Sequence, residues 1–242
     1  MSKVIFNIAT MEKRRSSFIK VLCCLANQKV KCDLINVAAS YEKPDSEIVE
    51  ILKMKFKGHT IRWGNFTAIE KMYALEYCSP DTYFFSVDDD IDYPTDYSES
   101  LIKAIDMREK RAVIGYHGKF FKHFPVTNYY DNENREVFQY YKPVESDREV
   151  HIIGTGVCAF YTKTLFDKGL TDNQIFKEGL KRGHGNYNDV IFSKYLRDKG
   201  IKMIVLKHPR NWIKIIPGTQ DADALWMQKK SKGRKVELSF LQ

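Results

Sequence analysis

The sequence predicts an α/β fold: a single domain with a mostly parallel central sheet flanked by helices. Three observations support this prediction. Strand and helix patterns alternate through the N-terminal third, as they do where right-handed crossovers join parallel strands. The 242 residues are 43% hydrophobic and 13% aromatic, which is enough to fill a sizeable core. A hydrophobic run, Tyr83–Val87, ends in three aspartates, and ligands of open α/β sheets bind beyond the carboxyl ends of strands.

The N-terminal third alternates between the two patterns. Strands are expected where apolar residues run together, and helices where they recur at i, i+3, i+4 and i+7. The helical stripe is clearest at Phe18, Val21, Leu22 and Leu25. The predicted order is a strand over 3–10, a helix to about 28, a strand over 33–39, a helix over 45–57, a strand over 59–63, a helix from Thr67 that stops before Pro80, and the strand that ends at Val87.

Beyond Pro94 the periodic pattern is interrupted once. A helix is predicted over 97–110 and a strand over 112–116. Residues 118–149 show no sustained period, so we expect an irregular excursion that shapes a substrate site. A strand pattern returns over 151–162 with a glycine pair inside it, which marks a bulge or the close approach of a ligand. A helix over 186–199 and a strand over 202–206 follow.

Composition and charge exclude several classes of protein. No run of about 18 apolar residues is present, and residues 1–13 lack the apolar segment of a secretory signal, so we expect a cytoplasmic protein without a membrane span. The five cysteines have no CxxC spacing, which argues against a disulfide framework or a zinc site. A net charge of +8 predicts an anionic partner. The basic C-terminal segment, about 226–242, is either a solvated tail or a contact surface for phosphates or anionic lipid heads.

Asp88, Asp89 and Asp90 are the candidate chemical centre. The segment 81–99 contains seven acids and no Lys or Arg. Adjacent carboxylates repel one another unless a cation holds them, and such hard oxygen ligands suit Mg²⁺ or Mn²⁺. A divalent metal that bridges carboxylates and a nucleotide diphosphate would stabilise charge on a leaving phosphate, which favours group transfer. The alternative is a solvated acidic turn.

Group transfer to a hydroxyl also needs a base, and Asp189 is the candidate. It lies at the start of a predicted helix, after a loop over 183–187 that contains glycines. A carboxylate at this position faces the positive end of the helix and the space beyond it. The alternative is that Asp189 only caps the helix N-terminus.

Six segments, taken in order, resemble a known family: IATMEKR, VDDDIDYPTDY, IGYHG, HIIGTGVCAFYT, NDVIFSKYLRDKGI and KHPRNW. Over roughly residues 3–216 the chain resembles nucleotide-sugar-dependent glycosyltransferases of the GT-A fold, of the family-2-like bacterial and phage type. The resemblance implies Mn²⁺- or Mg²⁺-dependent transfer of a hexose or pentose, with a UDP-sugar as the expected donor and inversion as the expected outcome.

The resemblance also implies roles for single residues. Asp90 and His208 would bind the metal, and Asp189 would deprotonate the acceptor hydroxyl. Asn188 stands where the family often has a second acid, which leaves the stereochemistry open. For His208 a buried structural role is the alternative. The residues expected to bind the donor are Thr10, Arg14, Lys71, Asp88, Asp89, Gly154, Thr155 and Gly156.

The acceptor has two candidate classes. The net charge and the basic run 229–235 favour a hydroxymethylated pyrimidine in phage DNA. A bacterial saccharide or lipid-linked glycan is the alternative, with peripheral contact between the basic C-terminus and a membrane. Tyr129, Tyr130, Tyr140 and Tyr141 could receive a sugar ring or a base. Nucleotidyl transfer and a non-catalytic nucleic-acid-binding module are further alternatives.

Overall fold

The computed structural model describes residues 2–169, 187–219 and 241. The strands are β1 (Lys3–Met11), β2 (Leu34–Ser40), β3 (His59–Trp63), β4 (Thr82–Val87), β5 (Ile91–Asp92), β6 (Ala112–Gly115), β7 (Gly118–Phe121), β8 (Arg135–Phe138), β9 (Arg148–Glu149), β10 (Ile152–Ile153), β11 (Val157–Tyr161), β12 (Lys202–Val205) and β13 (Lys214–Ile215). The α-helices are α1 (Arg15–Ala26), α2 (Ser46–Lys55), α3 (Tyr97–Asp106), α4 (Thr162–Phe166) and α5 (Asn188–Asp198), with 3-10 helices over Glu12–Arg14 and Ala68–Tyr77.

The central sheet has eight strands in the order β3-β2-β1-β4-β11-β6-β12-β9. Neighbouring strands from β3 to β4 are parallel, as are β6 and β12. The predicted α/β class with helices around a central sheet is confirmed. The sheet departs from a parallel arrangement at two strands. β11 lies antiparallel between β4 and β6, and β9 pairs antiparallel with β12.

β4 lies in the middle of this sheet, and all six of its residues are buried. Phe85 packs edge-on against Phe6 on the face that α1, α2 and α3 cover, and Phe84 stacks on Phe160 on the opposite face. The 3-10 helix Ala68–Tyr77 and α5 cover that second face. Burial on both faces explains the continuous hydrophobic run of β4 and fixes the position of the aspartates that follow it.

Three predicted elements have different bounds or geometry. The helix predicted from Thr67 forms as a 3-10 helix, Ala68–Tyr77. The helix predicted to residue 110 ends at Asp106, because Glu109 and Lys110 adopt φ angles of 53° and 58° that no α-helix accommodates. The glycine pair splits the strand predicted over 151–162 into β10 and β11.

The segment 118–149 was expected to be irregular, and this expectation is wrong for three short strands. β7 pairs antiparallel with β8 and with β10 in a separate three-stranded sheet, and β9 joins the edge of the central sheet. Strands of two to four residues are too short to show a period in the sequence. The basic run 229–235 and the loop 183–186 lie outside the described residues. In the described part of the chain, no helix has the length and apolar character needed to cross a membrane.

Candidate active site

A cleft of about 930 Å³ lies at the carboxyl ends of β1 and β4. It brings together residues that are far apart in the sequence, from the end of β1 to the start of α5. All of the predicted site residues line it except His208: Thr10, Arg14, Lys71, Asp88, Asp89, Asp90, Gly154, Thr155, Gly156 and Asp189.

Asp88 is held in place from its main chain. The hydroxyl of Tyr93 accepts a hydrogen bond from Asp88 N at 2.8 Å and donates one to Gly156 O at 2.6 Å. Tyr93 is only 2% exposed, so this hydroxyl ties the aspartate loop to the Gly154–Gly156 turn inside the core. Sequence reasoning missed Tyr93. Its position in the aspartate motif was visible, but nothing in the sequence shows which way a tyrosine side chain points.

The side chain of Asp88 is bound to Lys71. Lys71 Nζ lies 2.5 Å from Asp88 Oδ1, and the lysine side chain is only 2% exposed, although that of Asp88 is 43% exposed. Burial alone would lower the pKa of Lys71, but the charges of Asp88 and Asp189 outweigh it and raise the pKa. Lys71 is therefore a permanent cation beneath the cleft.

Asp89 and Asp90 both have raised pKa values. Burial and the charge of Asp90 raise the pKa of Asp89 to about 7, and burial and the charge of Asp88 raise the pKa of Asp90 to about 6. The nearby charge of Arg14 opposes both shifts. The loop is anchored by a hydrogen bond from Ile216 N to Asp90 O at 3.0 Å, next to the pairing of β13 with β5. Burial and the neighbouring carboxylates both favour the protonated forms of Asp89 and Asp90.

Asp189 is oriented by Thr155. Asp189 Oδ1 accepts hydrogen bonds from Thr155 N at 2.9 Å and from Thr155 Oγ1 at 2.6 Å. Asn188 Nδ2 donates in turn to Thr155 Oγ1, and Ser86 Oγ on β4 donates to Thr155 O at 2.5 Å. Thr155 thus joins the first turn of α5 to the central strand.

The surroundings of Asp189 keep it ionised. Burial alone would raise its pKa, but the charges of Lys119 and Lys71 and the two hydrogen bonds from Thr155 together lower the pKa below its ordinary value. A carboxylate in this state accepts hydrogen bonds from a hydroxyl group across the physiological pH range.

Gly154 and Gly156 allow the side chains of His117 and Asp88 to approach the main chain closely. A Cβ at Gly156 would lie 2.0 Å from Asp88 Oδ2, and a Cβ at Gly154 would lie 2.6 Å from the His117 ring. The predicted close approach at the glycine pair is therefore real, but the group that approaches is part of the protein itself.

His208 is the one predicted site residue that does not line the cleft. Its Nδ1 lies 2.8 Å from Leu206 O and its Nε2 3.3 Å from Gln139 O, and its ring packs edge-on against Tyr116. It is 6% exposed and does not line the cleft. With both ring nitrogens near main-chain carbonyls, His208 makes packing contacts in this structure, and its metal-binding role stays a prediction. Trp212 likewise packs on Tyr116, at 4.8 Å between ring centres.

His117 is a buried neutral imidazole in the wall of the cleft. Burial and the charge of Lys119 lower its pKa to about 4. Its Nδ1 is buried without a hydrogen-bond partner among the described residues, and its main-chain oxygen accepts a hydrogen bond from Gly154 N at 2.8 Å. Its ring supports the glycine turn.

A first prediction concerns Tyr93. In Tyr93→Phe, Asp88 N and Gly156 O lose a buried partner, so we expect the free energy of unfolding to fall by about 1–3 kcal/mol. Denaturant unfolding measures this change. Tyr77→Phe is the matched control because Tyr77 is 70% exposed and its hydroxyl forms a solvent-exposed hydrogen bond with that of Tyr73. Equal stability of the two variants would contradict the role of Tyr93.

Comparison with solved structures identifies the fold. The crystal structure of S. aureus TarS, a glycosyltransferase, superposes with a TM-score of 0.55 at 14% sequence identity. The two chains share a fold. The match covers 86% of this chain and 36% of the TarS chain, so this chain spans little more than a third of that protein. No protein-family model matches the chain, and no curated protein sequence matches it.

Proposed function

We propose that the protein is a metal-dependent glycosyltransferase that moves a sugar from a nucleotide-diphosphate sugar, with a UDP-sugar as the expected donor, to an acceptor hydroxyl. The observation that carries this proposal is the meeting of two kinds of carboxylate in one cleft. Asp89 and Asp90 are neighbouring carboxyl groups with raised pKa values at the end of β4, and Asp189 is a separately held, ionised carboxylate on α5. The fold shared with the glycosyltransferase TarS supports the same assignment.

The residues fit a metal that is shared with the substrate. Among the described residues no group of three or more His, Cys, Asp or Glu is arranged as a complete metal site. Mg²⁺ in nucleotide-dependent enzymes is commonly bound by one or two carboxylates together with substrate phosphates, not by an all-protein cage. Asp90 with Asp89 supplies that smaller donor set; burial is the main cause of their raised pKa values, and the repulsion between neighbouring carboxylates, which a cation would offset, adds to it. When bound, the metal would neutralise charge on the departing diphosphate.

The remaining steps follow from the protein's own side chains. Thr10 and Arg14 at the end of β1 lie where a nucleoside and its phosphates would approach the aspartates, and Arg14 adds a positive charge there. Asp189 accepts the proton of the acceptor hydroxyl as it attacks the anomeric carbon, and inversion follows if the attack is in line. Lys71 forms an ion pair with Asp88 next to the glycine turn, and its charge helps to lower the pKa of Asp189.

We propose a saccharide acceptor over DNA. The DNA hypothesis rested on the net charge and on the basic run 229–235, which lies outside the described residues. No contact of the described residues singles out a base or a duplex. A saccharide acceptor agrees with the resemblance to a glycosyltransferase fold.

The donor half of the proposal is tested by thermal unfolding with a panel of nucleotide diphosphates, with and without Mn²⁺. We expect one nucleotide, UDP first of all, to raise the melting temperature only when Mn²⁺ or Mg²⁺ is present, because the phosphates complete the metal site. Stabilisation that is the same with and without a divalent metal would contradict metal dependence.

A pH dependence follows from the raised pKa values of Asp89 and Asp90. The folded state binds these protons more tightly than the unfolded chain, so this pair lowers the free energy of unfolding as the pH rises from about 4 through about 7. A bound cation removes that penalty. We therefore expect the increase in melting temperature caused by Mn²⁺ and UDP to be small at about pH 5 and complete above about pH 7.5. An increase of the same size at both pH values would contradict this account.

A further inference from the structure

The cleft has a second wall that the proposed reaction does not use. It comes from the segment 118–149, which follows β6, and we call it the tyrosine wall. Its members relevant here are three cations and three tyrosines: Lys119, Arg135, Lys142, Tyr129, Tyr130 and Tyr140.

The acidic side chains of segment 118–149 lie outside the cleft, whereas three of its basic side chains line it. Residues 118–149 contain five Lys or Arg and six Asp or Glu, so the segment as a whole is slightly acidic. The residues that it contributes to the cleft include Lys119, Arg135 and Lys142 but no Asp or Glu. The two bases outside the cleft, Lys122 and Arg148, share the remainder of the segment with all six acids. A segment that places cations inside a cleft and acids outside it is suited to an anionic ligand inside.

Two of these cations, Lys119 and Arg135, donate hydrogen bonds to neutral groups. Lys119 Nζ donates a hydrogen bond to the Tyr129 hydroxyl at 2.7 Å. Arg135 donates to Tyr129 O at 2.9 Å and to Asn132 Oδ1 at 3.0 Å, and its guanidinium lies 5.0 Å from the centre of the Tyr130 ring. Within the described parts of the chain, neither Lys119 nor Lys142 forms an ion pair with a carboxylate. The hydrogen bond to Tyr129 orients the ammonium group of Lys119 without neutralising its charge.

Lys119 connects this wall to the reaction. Its charge acts on Asp189 more strongly than any other group that lowers the pKa of that carboxylate. Because Lys119 and Asp189 line the same cleft, an anionic group bound to Lys119 would lie on the side of the cleft where Asp189 meets the acceptor hydroxyl. The neighbouring tyrosine rings offer apolar faces on which a sugar ring can pack.

We infer that the tyrosine wall is the acceptor subsite and that it takes a saccharide bearing a phosphate group, which Lys119 binds beside Asp189. The inference rests on the proposed function, because it assigns the acceptor of that reaction. A saccharide chain that enters the cleft meets the cations of this segment but none of its acids. A nucleic-acid duplex lying across the surface would also meet the exposed acids, such as Glu133, Glu136 and Glu145.

The test compares the binding of glucose 6-phosphate and glucose by calorimetry, with the donor site filled by UDP and Mn²⁺. We expect glucose 6-phosphate to bind about tenfold more tightly, the worth of one charge-assisted hydrogen bond. Lys119→Met should remove this preference without weakening glucose, and Lys119→Arg should restore it. Lys122→Met, an exposed lysine of the same segment that does not line the cleft, should leave it unchanged.

Equal affinities for the two sugars, or a preference that survives in Lys119→Met, would overturn the inference. So would a single-stranded DNA oligonucleotide that binds more tightly than glucose 6-phosphate and depends on Lys119, since the acceptor would then be a nucleic acid. Binding of UDP with Mn²⁺ is measured first in the same samples. Its absence would overturn the proposed function, whereas its presence without a phosphate preference would overturn only this inference.

Discussion

Asp189→Asn is expected to lower the rate of sugar transfer by about 10²–10⁴-fold while leaving nucleotide binding unchanged. An asparagine can turn its carbonyl oxygen toward Thr155 and keep both hydrogen bonds that now hold Asp189 Oδ1. The other carboxylate oxygen becomes an amide nitrogen, which cannot accept a proton. The measurement is the initial rate of UDP release that depends on acceptor, together with the dissociation constant of UDP and Mn²⁺.

The matched control is Asp198→Asn at the opposite end of α5. Asp198 is exposed and forms a surface ion pair with Lys194 one turn earlier, so its loss should leave the rate unchanged. A rate for Asp189→Asn within a few-fold of the wild-type rate would show that Asp189 caps its helix and is not the base.

Gly156→Ala is the second change with a large expected effect. The added methyl group would lie 2.0 Å from Asp88 Oδ2, and Asp88 is held by Lys71 and by Tyr93. Either Asp88 leaves Lys71, or the turn moves and takes with it Thr155, which orients Asp189. Because both outcomes disturb the arrangement of the cleft, we expect transfer to fall by at least about 10²-fold, as misplacement of reacting groups by an ångström does.

A double-mutant cycle on the free energy of unfolding tests whether the clash with Asp88 is what disturbs the Gly156→Ala variant. In an Asp88→Ala background the carboxylate that meets the new methyl group is absent, so Gly156→Ala should cost much less of the free energy of unfolding than it does in the wild type. Additive costs in the two backgrounds would mean that the clash with Asp88 is not what limits residue 156.

Much of the fold could be predicted because its signals are local and long. The buried run of β4, the apolar stripe of α1 and the alternation through β3 each extend over several residues with one period. The insertion of β11 between β4 and β6 could not be predicted in this way. Strand order depends on which surfaces meet in space, and an antiparallel partner carries the same apolar pattern as a parallel one.

The candidate site, like the fold, could be predicted from the sequence only in part. Aspartates at the end of a buried strand and an acid at the start of a helix are visible in the sequence, and the fold brings Asp88–Asp90 and Asp189 into one cleft. The side-chain partners are not visible. His208 follows a strand as a metal ligand would, yet both its ring nitrogens meet main-chain carbonyls, and the ties made by Tyr93 and Lys71 depend on distances that only the folded chain defines.

The most direct test of the central claim is the binding of UDP to the wild-type protein and to Asp90→Asn, titrated by calorimetry with and without Mn²⁺. We predict that the wild-type protein binds UDP at least about tenfold more tightly when Mn²⁺ is present and that Asp90→Asn loses this enhancement, because a metal shared by a carboxylate and a diphosphate needs both. Asp106→Asn, which is remote from the cleft, should behave as the wild type. UDP binding that is indifferent to Mn²⁺, or an enhancement that persists in Asp90→Asn, would contradict the account.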